Sequence, residues 1–219
     1  MPAEIAVVVA ARNEEERLGD TLAALRSAFP GARLIVADDA STDRTPEIAR
    51  EAGADLVRSP RRRGKGGANT PAAETALSGD PDVVLLCDGD LGASAKELEH
   101  LVGHGDVVIA KFARRVGGGF GVALRTSRKI VEKHTGRYLE APLSGQRALT
   151  AAALRNVLPF APGFGMETAM DIDAIRAGLT VVEVELDLEH RATGRTLGGF
   201  LHRGRQLWDL ARAERVSRR

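Results

Sequence analysis

Apolar residues come in short unbroken runs, separated by stretches that repeat at helical spacing. Residues 5–10 are aliphatic without interruption, as in a strand covered on both faces. Residues 14–28 follow, with Leu18, Leu22 and Leu25 on one helical face. A second strand is expected over 33–37. Thr45-Pro46 then supplies a cap and a proline at the first helical position for a helix to about residue 53. A short strand over 55–58 leads into a basic, glycine-bearing loop over 60–67 and a small-residue helix over 71–77. Residues 83–87 form a fourth strand, Ser94-x-x-Glu97 is a capping box for the next helix, and 107–110 form a fifth strand.

The second half is less regular. Residues 112–121 are rich in glycine and arginine and read as a loop. A helix is expected over 122–136, a polar stretch with a tight Ser144-Gly145 over 140–147, and a helix from about 166 to 177. The strand at 181–188 carries alternating acids, and the tail from 196 onward reads as a helix. Strands alternating with helices predict an α/β fold with a mostly parallel sheet flanked by helices. One domain over residues 1–219 is expected. In such sheets ligands sit beyond the carboxyl ends of the strands. Arg12-Asn13-Glu14, Asp38-Asp39 and Asp88-Gly89-Asp90 all fall at those ends.

The chain has 219 residues, 43% hydrophobic and 28% charged, ordinary values for a globular protein. A net charge of +1 gives no reason to expect a nucleic-acid partner. The single cysteine, Cys87, excludes an internal disulfide and a cysteine-held zinc. It fits a reducing compartment, and a cytoplasmic location is expected. No run approaches the roughly 20 apolar residues of a membrane helix.

Asp88 and Asp90 stand one residue apart at the exit of a buried strand. Such a pair of hard oxygen donors suits Mg²⁺ or Mn²⁺, which would neutralise a departing diphosphate. The alternative is a solvated acidic turn. Asp39 can accept hydrogen bonds from a base N–H or ribose hydroxyls. Ser41 and Asp43 fit a turn that caps the next helix, but a turn explains less well why both Asp38 and Asp39 end a buried strand. Arg61-Arg62-Arg63-Gly64-Lys65-Gly66-Gly67 can grip phosphate, although it is not a Walker loop. Arg61 and Arg62 equally suit a solvated loop.

The succession Val7-Val8-Val9-Ala10-Ala11-Arg12-Asn13-Glu14-Glu15, Asp38-Asp39-Ala40-Ser41-Thr42-Asp43, Gly64-Lys65-Gly66 and Asp88-Gly89-Asp90-Leu91 resembles the signatures of family 2 glycosyltransferases of the GT-A, Rossmann-like nucleotide-diphospho-sugar transferase fold. The likeness spans residues 5 to about 190. It implies that Ala11, Glu14 and Asp39 line the base and ribose pocket, that Lys65 lies near the nucleotide, and that Gly89 borders the donor between the metal ligands Asp88 and Asp90. Ser144-Gly145-Gln146-Arg147 is similar to a segment of the family's polyprenyl-phosphate sugar (dolichol-phosphate mannose-like) synthases, with Gln146 in place of the usual aromatic. Ser144, Gly145 and Arg147 are thereby expected near diphosphate or acceptor. Gly163-Phe164-Gly165-Met166-Glu167 resembles the later acidic motif, which makes Glu167 the candidate general base; its other reading is an acid favoured at a helix N-terminus. His190 is the candidate third metal ligand, with His202 its rival, and Arg191 or Arg195 would hold the diphosphate.

The tail from residue 191 to 219 has eight arginines against Asp209 and Glu214, interleaved with Leu197, Phe200, Leu201, Leu207, Trp208 and Leu210. This basic helix either packs its apolar side on the domain, which is slightly favoured, or lies on an anionic bilayer at its inner face. The expected reaction is metal-dependent sugar transfer from a nucleotide-diphosphate sugar. The first acceptor expected is polyprenyl phosphate, the second a small hydroxyl compound, and a homodimer remains open. The rivals are a sugar-1-phosphate nucleotidyltransferase and a non-catalytic nucleotide-sugar-binding protein. The acidic run after the first strand counts against the former, because it would repel a triphosphate.

Overall fold

The computed structural model describes residues 3–113, 121–162 and 165–188. Its sheet has seven strands: β1 (Ile5–Ala11), β2 (Arg33–Asp38), β3 (Asp55–Arg58), β4 (Val83–Asp88), β5 (Val107–Phe112), β6 (Arg147–Thr150) and β7 (Val181–Leu186). They lie in the order β3-β2-β1-β4-β6-β5-β7. All neighbours run parallel except β6, which is antiparallel to both β4 and β5. The helices are α1 (Leu18–Ala28), α2 (Thr45–Glu51), α3 (Lys65–Leu77), α4 (Gly121–Thr135), α5 (Ala151–Val157) and α6 (Met166–Arg176), with a 3-10 helix at Gly92–Leu101.

The unbroken apolar runs reflect cover on both sheet faces. Val7 and Val9 pack with Leu18, Leu22 and Leu25 of α1, while Ala6 and Val8 share a cluster with Ala72 and Ala76 of α3 and Met170 of α6. Each leucine of α1 buried in this way contributes about 1.5–3 kcal/mol relative to exposure. The same period of two aims the acids at the strand ends. Val84 and Leu86 face α3 and α6, so Asp88 leaves β4 on that side; Ile35 and Ala37 carry Asp39 to the same side.

Several boundaries differ from expectation. Helix α1 begins at Leu18, not residue 14, because the preceding backbone is committed elsewhere. The amides of Asn13, Glu14 and Glu15 donate to Ser41 Oγ, Thr45 Oγ1 and Asp43 Oδ2. The capping-box segment forms a 3-10 helix from Gly92, with Ser94 Oγ donating to Leu91 O. Two elements, β6 and α5, occupy what read as a polar stretch and its sequel. Thr150 caps α5 by accepting from Ala153 N at 3.1 Å.

Helix α3 starts at Lys65 rather than residue 71, and Pro71 lies inside it. Gly64, at φ 77°, turns the chain into the helix. Gly66 then lets the first turn lie against residue 161: a Cβ on Gly66 would sit 1.9 Å from the Ala161 carbonyl oxygen. Backbone cannot yield as a side-chain tip can. Gly66→Ala is therefore expected to cost about 1–3 kcal/mol and lower the melting temperature by about 3–10 °C. A thermal melt unchanged within a degree would show that the first turn of α3 is not held this tightly.

Candidate functional site

Residues 11–17, 38–45 and 88–91 leave the parallel strands β1, β2 and β4 at one rim. The register sets Ala10 beside Asp88 and Ala11 beside Asp38. Because β6 runs antiparallel, its amino end, preceded by Ser144-Gly145-Gln146, reaches the same rim. The amino ends of α3 and α6 complete the arrangement with Lys65 and Glu167.

Ala11 and Gly89 meet at the floor. Both are buried, and a Cβ on Gly89 would come within 3.4 Å of the Ala11 Cβ and 3.2 Å of the Ala10 carbonyl oxygen. The loop bearing Glu14 is laced to the segment after β2. Besides the three amides already given, Thr42 N donates to Asn13 Oδ1 and Arg44 N to Glu15 Oε2. Asn13 itself has φ 56°, in the left-handed region that asparagine tolerates. Asp43 also accepts from Thr45 N and Oγ1. Burial pushes the Asp43 carboxyl up, but these hydrogen bonds together outweigh it and hold the group below the usual carboxylate range. Asp43 thus serves the first turn of α2 and also fastens the preceding loop, whereas Ser41 Oγ accepts from Asn13 N and not from an amide of α2.

The two aspartates of β2 divide their work. Asp38, with no exposure, accepts from Ser41 N and stands 3.0 Å from Arg58 Nε. That contact is one of charge and not an aligned hydrogen bond. Asp39 accepts from the backbone amides of Arg63 at 2.6 Å and Gly64 at 3.0 Å, anchoring the turn ahead of α3. Arg61 and Arg62 are exposed, as a solvated loop would have them, whereas Lys65 enters the site.

Lys65 Nζ lies 2.5 Å from Asp88 Oδ1 and 3.0 Å from Glu167 Oε1. Burial alone would lower the Lys65 pKa, but the two carboxylates outweigh it and raise it, so the side chain stays charged. The other Asp88 oxygen accepts from Gln146 Nε2 at 3.0 Å, and Gln146 Oε1 accepts from Asp88 N at 3.1 Å. Gln146 therefore fixes Asp88 at both its backbone and its side chain. The sequence singled it out only as a departure from a motif, and nothing in it marks this clamp. Gly145 makes the arrangement feasible: a Cβ there would lie 2.2 Å from Lys65 Nζ and 2.7 Å from Asp88 Oδ2. Cys87 is buried beneath, its thiol pushed up by burial and by the Asp88 charge, and is unsuited to nucleophilic work.

Glu167 lies in the first turn of α6, is buried, and turns its carboxylate to Lys65. Ser144 is buried with its carbonyl accepting from Arg147 Nε at 2.8 Å. Arg147 is placed differently from the expected diphosphate or acceptor contact. It is fully buried, and its guanidinium is committed to Asp171 and the carbonyls of Ser144 and Pro142. It supports the site from below. Asp90 is half-buried, and its carbonyl accepts from Arg17 at 2.9 Å. His190, Arg191, Arg195, His202 and the basic tail lie outside the described residues.

Among the described residues, no group of three or more His, Cys, Asp or Glu side chains stands ready as a metal cage. A rim with one or two carboxylates suits instead a magnesium-like ion that shares its shell with substrate phosphates and water. Also among the described residues, no helix is long and apolar enough to cross a membrane.

The chain is 30% identical over 209 residues to an undecaprenyl-phosphate mannosyltransferase of Micrococcus luteus, covering 87% of this chain and 85% of that one. It is 32% identical over 220 residues to a glucosyl-3-phosphoglycerate synthase of Mycolicibacterium paratuberculosis, covering 85% of this chain and 65% of the relative. Among solved structures, the glucosyl-3-phosphoglycerate synthase of Mycobacterium tuberculosis in complex with phosphoglyceric acid superposes with a TM-score of 0.77 at 27% identity, over 97% of this chain and 80% of that one. The same synthase in complex with Mn²⁺, uridine-diphosphate-glucose and phosphoglyceric acid gives 0.75 at 26% identity, with the same coverage. The family model for glycosyl transferase family 2 matches residues 6–154. The chain therefore belongs to glycosyl transferase family 2 and is a hexosyltransferase of the GT-A fold.

Proposed function

We propose that this chain transfers a hexosyl group from a nucleoside diphosphate sugar to the hydroxyl of a small anionic acceptor, with Mg²⁺ or Mn²⁺ held by Asp88 and Asp90 of its Asp-x-Asp motif. One observation carries the reading: Asp88, Lys65 and Glu167 form a continuous charged chain from the end of β4 to the start of α6. The Asp88 end suits the diphosphate, with the metal supplying positive charge as the sugar–phosphate bond breaks. Lys65 suits the same oxyanions. Ala11, Glu14, Asp39 and Gly89 border the nucleoside. Glu167 suits the acceptor side as general base, since a hydroxyl must lose a proton as it attacks the anomeric carbon. His190, Arg191 and Arg195 retain their expected parts as third metal ligand and diphosphate contacts. The likeness to a synthase crystallised with Mn²⁺, uridine-diphosphate-glucose and phosphoglyceric acid supports donor, metal and acceptor class together.

A second reading has a polyprenyl phosphate as acceptor, reached from a cytoplasmic membrane face through the basic tail. The likeness to the undecaprenyl-phosphate mannosyltransferase favours it. A phosphate acceptor is already ionised, and Glu167 would then only position it. Nucleoside diphosphate release is the assay, with uridine- and guanosine-diphosphate sugars tried against phosphoglycerate and against undecaprenyl phosphate in detergent. Turnover with phosphoglycerate that stops on chelation and returns with Mn²⁺ is expected. Turnover with undecaprenyl phosphate alone would replace the first reading by the second, and chelator-resistant turnover would remove the metal from both.

A further inference from the structure

Lys65 stands where a cation is wanted. Its ammonium bridges Asp88 Oδ1 and Glu167 Oε1 at 2.5 and 3.0 Å, and its side chain is only 20% exposed. The second Asp88 oxygen is taken by Gln146. A metal binding Asp88 must therefore compete with the ammonium for Oδ1 or displace the Gln146 amide. The absent Cβ of Gly145 keeps room for Lys65 at this position. Lys65 also opens α3, whose preceding turn is moored by Asp39 through the amides of Arg63 and Gly64. The base of the side chain is thus fixed, while its tip is a flexible chain able to swing from carboxylate to phosphate.

We propose that Lys65 is a built-in counter-cation that fills the place between Asp88 and Glu167 before the donor arrives, so that the divalent metal is taken up together with a nucleoside diphosphate and not ahead of it. The proposal rests on the metal-dependent reading above and adds an order to it. Before the donor arrives, the ammonium balances the charge of two acids in a partly buried site. When a diphosphate enters, it offers the ammonium new anionic partners. Asp88 Oδ1 is released to the metal, and Glu167 loses the cation that holds it. Donor binding thereby readies both the leaving-group side and the acceptor side in one movement of one side chain.

The test is direct Mn²⁺ binding, read from the electron paramagnetic resonance signal of the free ion, for wild type, Lys65→Met, Lys65→Gln and Lys65→Arg, each with and without uridine or guanosine diphosphate. Wild type alone should bind Mn²⁺ weakly, and a diphosphate should strengthen binding at least tenfold. Lys65→Met should bind Mn²⁺ without nucleotide about tenfold or more tightly than wild type, because the competing charge is gone. Lys65→Gln serves the same purpose should the methionine variant fail to fold. Lys65→Arg retains the charge and should stay within about threefold of wild type. If neither neutral variant gains affinity for Mn²⁺ alone while wild type still binds it with nucleotide, the counter-cation role is wrong and the metal-dependent reading stands. If wild type binds Mn²⁺ as tightly without nucleotide as with it, the inference falls and the metal-dependent reading stands; if wild type binds no Mn²⁺ in either state, the metal-dependent reading falls and the inference falls with it.

Discussion

Asp88→Ala is expected to lower kcat by about 10²–10³-fold while the protein remains folded, a loss of the size seen when one preorganised contact to a developing charge is removed. Removing that carboxylate takes away its contacts with Lys65 and Gln146 and, in the proposed mechanism, an oxygen for the metal. The stability effect is much smaller. The Asp88 side chain is 32% exposed, and a partly solvated ion pair contributes about 0–1 kcal/mol. Activity and melting temperature should therefore part company. Asp88→Asn separates the contributions, since the amide oxygen can still accept from Gln146 but carries no charge for Lys65 or a metal. It should lose nearly as much activity as the alanine variant. Asp55→Asn is the matched control: Asp55 pairs with Arg33 at 2.7 Å in the edge strand β3, away from the rim. It should leave kcat unchanged. An Asp88→Ala enzyme within threefold of wild type would remove the site from β4.

The sheet was legible because burial on two faces leaves a mark that local pattern alone can detect. The strand cores of β1, β2, β4 and β5 are apolar at consecutive positions, which few loops are. The positions of the acids at the carboxyl ends of parallel strands predicted that they would share one rim. Asp39 and Asp88 do leave the sheet on one side, although they are 49 positions apart in the chain. The strand β6 was not legible. It is four residues long, begins with a charged arginine, and gains its stability from strands on both sides. No local signal reports such pairing, since β-propensity mostly expresses the neighbours a strand will have.

The site was half legible for a related reason. Asp88 and Glu167 could be picked out singly as acids at element ends and Lys65 as a cation of a basic loop, but their joining into one chain depends on the start of α3. The glycines at 64, 66 and 67 and the proline at 71 argue for a loop on local grounds. Close packing against Ala161 makes the first turn helical instead. That tertiary contact overrides propensity and brings Lys65 inward. Gln146 and Arg147 were misjudged in opposite senses. Gln146 seemed to weaken a motif, yet it clamps Asp88. Arg147 was expected at the diphosphate or acceptor because it completes a segment similar to that of polyprenyl-phosphate sugar synthases, but its partner Asp171 lies on α6, and only the fold brings the two together.

Arg147→Met should be the most damaging single change to stability, at about 3–5 kcal/mol, because it strands a buried carboxylate. Neither Arg147 nor Asp171 has any exposed side-chain surface, so water cannot replace the lost partner. At about 2–4 °C per kcal/mol for a chain of this size, the melting temperature should fall by about 6–20 °C. The double variant Arg147→Met/Asp171→Leu should recover much of that loss, since an apolar pair of similar volume removes both charges. The pH dependence gives an independent check. Burial pushes Asp171 up to about 6 even though Arg147 opposes the shift, and without Arg147 it must rise further. An acid raised in the folded state keeps its proton while the unfolded chain releases one, so it loses stability as pH rises from the unfolded value of about 4 toward the folded one. The deficit of Arg147→Met relative to wild type should therefore be greatest above pH 7 and shrink toward pH 5, where Asp171 becomes neutral in both. A deficit that is the same at both pH values would mean that Asp171 is not the group left stranded. The variant should also lose activity before it unfolds. Arg147 Nε holds the Ser144 carbonyl, and the loop that follows carries Gly145 and Gln146 against Lys65 and Asp88. Loosening that loop by a fraction of an ångström displaces Lys65 and Asp88, the groups proposed to meet the departing diphosphate, so kcat should fall more than KM rises.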